Sequence, residues 1–178
     1  MTPQRTRLSG DEGFTLIELM VVIVILGILM VFAVNSFQRA RLTSNEAAAI
    51  AGMRAINSAQ FAYASGCGGG NYAASLSVLG TRPPGNQQGY ISADLGTEDM
   101  PTRNGYTFYL ELSEEGVENV EDCNGVPTLS SYYATAWPYS QGQSGERSFA
   151  TNQAGAIFQL HGPEPPTEPF GPPAQRVQ

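Results

Sequence analysis

The sequence predicts an α+β protein in which one long N-terminal helix, half of it apolar enough to span a membrane and half amphipathic, packs on a small antiparallel β-sheet head. Three observations carry this reading. Residues 14–34 are almost wholly apolar; residues 35–64 lack proline and space Ile50, Met53, Ile56, Gln60 and Tyr63 three or four apart; and residues 106–113 alternate. Three- to four-residue spacing gives a helix one apolar stripe, and period-two alternation gives a strand one buried face.

Residues 1–13 form a short polar leader with Arg5 and Arg7 and no apolar stretch of its own. An ordinary secretory signal carries its apolar region ahead of the cleavage site, whereas here the apolar run follows Gly13. Flanking arginines keep the leader on the cytoplasmic side. Residues 14–35 supply the roughly 20 residues that cross a bilayer, interrupted by Thr15, Glu18 and Gly27. The helical pattern continues over residues 36–64 as the amphipathic half. A continuous helix over 14–64 is about 75 Å long at 1.5 Å per residue, far more than a membrane requires.

The glycine cluster in residues 65–72, SGCGGGNY, ends the helix, because adjacent glycines make its continuation expensive. Residues 65–161 form the head, beginning with a connection through Pro83 and Pro84 to Met100 and Pro101. Tyr106, Phe108, Leu110 and Leu112 then alternate with Thr107, Tyr109, Glu111 and Ser113 as the first strand. Residues 131–137 and 147–151 read as further strands, and residues 152–155, NQAG, as a turn into 156–158. Pro165, Pro166, Pro169, Pro172 and Pro173 predict a disordered or extended tail over 162–178.

The formal charge is −7 and no lysine occurs. Scattered arginines on an acidic chain argue against a general nucleic-acid surface, which needs clustered positive charge. Cys67 and Cys123 are the only cysteines. Outside the cytoplasm they favour a disulfide, stabilising by roughly 2–4 kcal/mol, with two buried thiols as the alternative.

The residues do not point to an enzyme, a cofactor or a metal. His161, the sole histidine, lies beside the proline-rich stretch without a positioned partner, and no catalytic triad is apparent. Residues 66–70, GCGGG, lack the lysine and the strand-to-helix order of a phosphate loop. Glu111, Glu114, Glu115, Glu118, Glu121 and Asp122, with Asn124 and Gly125, match no calcium-loop spacing and read as a solvated acidic face.

Glu18 poses the functional question, since a carboxylate facing lipid is costly unless it finds a partner inside a bundle. The stretch Glu12-Gly13-Phe14-Thr15-Leu16-Ile17-Glu18, followed by the apolar run, resembles the cleavage and methylation motif of type IV pilins and of the related pseudopilins of type II secretion. That resemblance implies the type IV pilin fold and cleavage by a prepilin peptidase between Gly13 and Phe14. It also implies N-methylation of Phe14, and an assembly salt bridge in which Glu18 of one subunit neutralises the Phe14 amine of a neighbour. The implied partners are further copies of the chain in a filament, an inner-membrane assembly platform, other minor pilins, and membrane lipid before assembly. The implied location is the inner membrane as a single-pass precursor, then a cell-surface filament, or a periplasmic one for a pseudopilin.

The segments Arg39-Ala40-Arg41, Ser44-Asn45-Glu46-Ala47 and residues 54–60 are similar to those of pilins with a small globular head. The Asp-Pro-Trp-Gly segment and acidic C-terminal loop of calcium-binding major pseudopilins are absent. Asn35 stands where many members carry proline, and Asp11 and Glu12 precede Gly13 where a basic residue is common. A type IV pilin-like structural subunit is the expectation. A major-type pseudopilin, or a minor tip pilin acting as adhesin or receptor, is the alternative.

Overall fold

Ala, Arg, Gln and other strong helix formers are concentrated in residues 36–64, and in the computed structural model they continue the apolar run as one α-helix, α1 (Leu16–Gly66), which passes Gly27 and Asn35 without a break. The structure describes residues 13–177; the leader before Gly13 and the last residue lie outside the described residues. The chain divides into two compact units, one up to Gln38 and a head unit from Arg39. In the first unit every large apolar side chain described from Leu16 to Val34 is at least 49% exposed. That stretch is long and apolar enough to cross a membrane.

In the head unit α1 buries the stripe Ala49, Met53, Ile56, Ala59, Gln60 and Tyr63, while Ile50 packs at its margin. The stripe lies in one core with Tyr106, Phe108, Leu110, Tyr132, Ala134, Ala136 and Phe149 of the sheet. Helix and sheet approach closely at Gly52, where a Cβ would sit 2.7 Å from the Phe108 ring. Each large apolar side chain buried here stabilises the head by about 1.5–3 kcal/mol. Gln60 is fully buried yet satisfied, since its side-chain amide donates to the Ala73 carbonyl at 3.0 Å and its oxygen accepts the Ala73 N–H at 2.8 Å.

The strands are β1 (Thr102–Arg103), β2 (Tyr106–Leu112), β3 (Glu118–Glu121), β4 (Pro127–Leu129), β5 (Tyr132–Pro138), β6 (Arg147–Asn152), β7 (Phe158–His161) and β8 (Gln175–Arg176). Six of them make an antiparallel sheet of order β1-β2-β5-β6-β7-β8, and β3 and β4 make a separate hairpin. Tyr106, Phe108 and Leu110 of β2 enter the core as the alternation predicts, but Thr107 on the other face is buried too, Tyr109 is half-buried, and Leu112 is 36% exposed as the strand leaves the core. The turn at 152–155 is built by the Asn152 side chain, which accepts the Ala154 N–H, and by Gly155 at φ 73. Between α1 and β1 the connection contains α2 (Leu76–Gly80) and α3 (Ala93–Gly96), held by buried Leu76, Leu79 and Leu95.

The proline-rich segment corrects the expectation of a disordered or extended tail over 162–178. It packs on the sheet and ends in β8, whose Gln175 and Arg176 pair with Gln159 and Phe158. Prolines lack N–H donors but keep carbonyl acceptors, and the Tyr133 hydroxyl donates to the Pro166 carbonyl at 2.6 Å. The Glu168 carboxylate accepts from Ser113 and Asn152, and Phe170 stacks on Phe158 with ring centroids 4.5 Å apart. Phe170→Ala should lower stability by about 1–2 kcal/mol, part of a full aromatic burial, and should raise amide exchange at Arg176 and Val177 before the rest of the sheet. Unchanged exchange there would show that the proline-rich segment is held without the ring stack.

Candidate processing and assembly site

Local chemistry at the start of α1 comes from two polar side chains. Thr15 precedes the first helical residue, and its hydroxyl accepts the Glu18 N–H at 3.3 Å. The Glu18 carboxylate reaches back to accept the Thr15 N–H at 2.9 Å and the Thr15 hydroxyl at 2.8 Å. Together they form a capping box, a reciprocal arrangement that satisfies amide donors left orphaned in the first helical turn. A carboxylate here also lies at the positive end of the helix dipole. Thr15 was therefore more than an interruption of the apolar run; the Thr-x-x-Glu spacing was the signal for it.

Gly13 and Phe14 lie just outside this cap. Phe14 is 89% exposed, and no atom lies within 4 Å of where a Gly13 Cβ would sit. The Gly13–Phe14 peptide thus precedes the first helical residue and is exposed. A new amine at Phe14 would stand one residue before the cap that positions Glu18. Residues 14–38 contain no arginine and the chain contains no lysine, so that amine is the one cation the apolar segment can acquire.

At the start of the head, Glu46 is 8% exposed and joins α1 to β6. One carboxylate oxygen accepts the N–H groups of Glu146 and Arg147 at 3.0 and 3.2 Å; the other accepts Arg147 Nε and Nη2 at 3.0 and 2.6 Å. Arg147 Nη1 donates to Gln159, and its carbonyl accepts the Tyr106 hydroxyl. Burial pushes the Glu46 carboxyl up, but the Arg147 hydrogen bonds, the two amides and the guanidinium charge outweigh it and hold the carboxyl below its usual range. A depressed carboxylate stabilises the fold above its unfolded pKa, and that contribution is lost as pH falls through the folded value. Glu46→Gln in the detergent-solubilised full chain should cost about 2–3 kcal/mol near neutral pH, below the range for a fully buried pair because Arg147 is partly solvated. The difference from the parent should shrink in acid; a constant difference from neutral pH to below the carboxylate range would refute the ion-pair account.

At the other end of the head, Cys67 and Cys123 are joined by a disulfide. Asp122 accepts the N–H groups of Asn124 and Val126 and the Tyr63 hydroxyl, the last at 2.7 Å. Burial and the Asp122 charge push the Tyr63 phenol up. Asp122, Asn124 and Gly125 therefore serve a turn. Glu111, Glu114, Glu115, Glu118 and Glu121 are exposed, and among the described residues no group of three His, Cys, Asp or Glu side chains forms a metal-binding cluster. Residues 66–70 close the helix, with the Cys67 and Gly68 amides on the Tyr63 carbonyl and the Gly70 amide on that of Ala64. His161 is exposed and lies 3.3 Å from Glu146.

No significant match to a curated protein or to a solved structure was found. Residues 8–34 match the family model described as the prokaryotic N-terminal methylation motif. That span contains Gly13, Phe14, the Thr15–Glu18 cap and the apolar half of α1, and it leads into a helix packed on an antiparallel sheet. The chain carries, at its N-terminus, the methylation motif of type IV pilin and pseudopilin precursors.

Proposed function

We propose that the chain is a type IV pilin-like structural subunit. A prepilin peptidase cleaves between Gly13 and Phe14 and methylates the Phe14 amine, releasing residues 1–13 as the leader. Residues 14–35 anchor the precursor in the inner membrane, and residues 36–64 carry the head. An assembly platform then draws the subunits, with minor pilins, into a surface filament. The observation that carries this reading is the pairing of an unburied apolar helix with one carboxylate whose only available cation is the amine that cleavage creates.

In lipid the isolated subunit holds Glu18 beside its own Thr15 cap. In a filament the apolar helices bury one another, and Glu18 of one copy meets the Phe14 ammonium of a neighbour. The acid thereby favours one axial register. The test is N-terminal sequencing and intact mass of the chain recovered from sheared cell-surface filaments. A chain beginning at N-methylated Phe14 supports the proposal; a chain retaining the leader overturns it. Loss of protein secretion on deletion, with no surface filament in the parent strain, would reassign the subunit to a secretion pseudopilus.

A further inference from the structure

The head is electrically bipolar along α1. At its C-terminal end the β3–β4 hairpin is pinned by the Cys67–Cys123 disulfide and by Asn119 donating to Asn71 at 2.8 Å. The whole of β3 is exposed, its outer edge is unpaired, and Val117 and Val120 are 58% and 71% exposed beside Glu118 and Glu121. Those two carboxylates have no ion-pair partner among the described residues. At the other end, Arg39 and Arg41 are exposed and also unpaired among the described residues. Arg39 lines a recess of about 510 Å³ with Leu42 and Thr43, where Glu46 is taken by Arg147 and Glu146 faces His161. The recess thus offers one uncommitted cation beside a half-buried leucine. From Arg41 to Gly66 the helix spans about 38 Å at 1.5 Å per residue.

We propose that the β3 hairpin of one copy docks on the Arg39–Arg41 end of another, with Glu118 and Glu121 against the two arginines and Val120 toward Leu42. This rests on the filament reading above and names the surface that joins its heads. Charge complementarity selects a second copy as the occupant: on a chain of charge −7, hairpin against hairpin sets acid on acid, whereas hairpin against arginine end cancels charge. An interface between two different surfaces closes into a ring or propagates as an open helical filament according to the rotation it imposes, and the filament reading requires the second.

The test uses the full chain in its native host, with three variants: Glu118→Arg with Glu121→Arg, Arg39→Glu with Arg41→Glu, and all four together. All the altered side chains are exposed, so folding and cleavage should persist, checked by N-terminal sequencing of membrane protein. Each reversal alone should lower sheared filament yield at least about tenfold, since like charges brought together cost more than the 1.4 kcal/mol that a factor of ten requires. The fourfold exchange should restore most of the yield. Parent-like yield from either single reversal, or failure of the exchange to restore it, overturns this interface and leaves the filament reading standing. Processed parent chain that makes no filament overturns both.

Discussion

Glu18→Gln is expected to abolish filaments while leaving the helix start intact. Glutamine at the third helical position can still accept the Thr15 N–H, so the capping box survives and only the charge is removed. In the membrane the variant should be as stable as its parent or more so, because a neutral amide costs less there than a carboxylate. In the filament each Phe14 ammonium would be buried without its counter-charge, a penalty of about 3–5 kcal/mol per subunit when one member of a buried pair is lost. Repeated along a polymer, that is enough to suppress assembly. The measurement is filament yield beside the amount of processed chain in the membrane; parent-level filaments would remove Glu18 from the assembly mechanism.

Thr15→Ala is the matched control, since it keeps the charge and removes the hydroxyl that accepts the Glu18 amide and donates to its carboxylate. Loss of an N-cap costs about 0.5–2 kcal/mol. Filament yield should therefore fall but not vanish. The absence of lysine adds a chemical readout, because the Phe14 amine is the one primary amine of a chain cut after Gly13 and methylation converts it to a secondary amine. A reagent selective for primary amines should label cut but unmethylated chain and spare the finished subunit.

The parts of this molecule that the sequence displays openly are those governed by local periodicity. The apolar run, the stripe through Met53, Ile56, Gln60 and Tyr63, and the alternation in β2 each repeat a pattern over several residues, and α1 and the central sheet follow from them. What stayed hidden depends on partners distant in sequence. The proline-rich segment reads as a tail because composition cannot show that Tyr133 and Phe158 lie where Pro166 and Phe170 can use them. β3 carries no apolar alternation, since it is exposed throughout and is held through Cys123 and β4. Glu46 enters the sequence reading only within the Ser44–Ala47 segment similar to pilins; its bond to Arg147, about a hundred residues on, is not visible there. At the N-terminus the capping box was wholly local and still missed, because counting apolar residues treats Thr15 as a gap.

Removing the Cys67–Cys123 bond should have the largest effect on the head itself. The cysteines are 56 residues apart, and closing such a loop is worth about 4 kcal/mol on the chain-entropy model. The bond also ties the end of α1 to the hairpin, beside the Cys123 N–H donating to the Cys67 carbonyl, the Tyr63–Asp122 hydrogen bond, the Asn71–Asn119 bond and the Tyr72–Leu129 bridge. With Cys67→Ser and Cys123→Ser, urea unfolding of the full chain in detergent should shift by roughly that free energy, and the β3–β4 amides should exchange first. The central sheet should hold longer, because its core of Phe108, Ala134 and Phe149 does not involve the hairpin. If the hairpin docks as proposed, filaments should weaken more than the head does, since the docking surface would then have to be ordered at each contact. A uniform loss of protection across both sheets would instead make the disulfide a clamp on the whole head, with no particular claim on the hairpin.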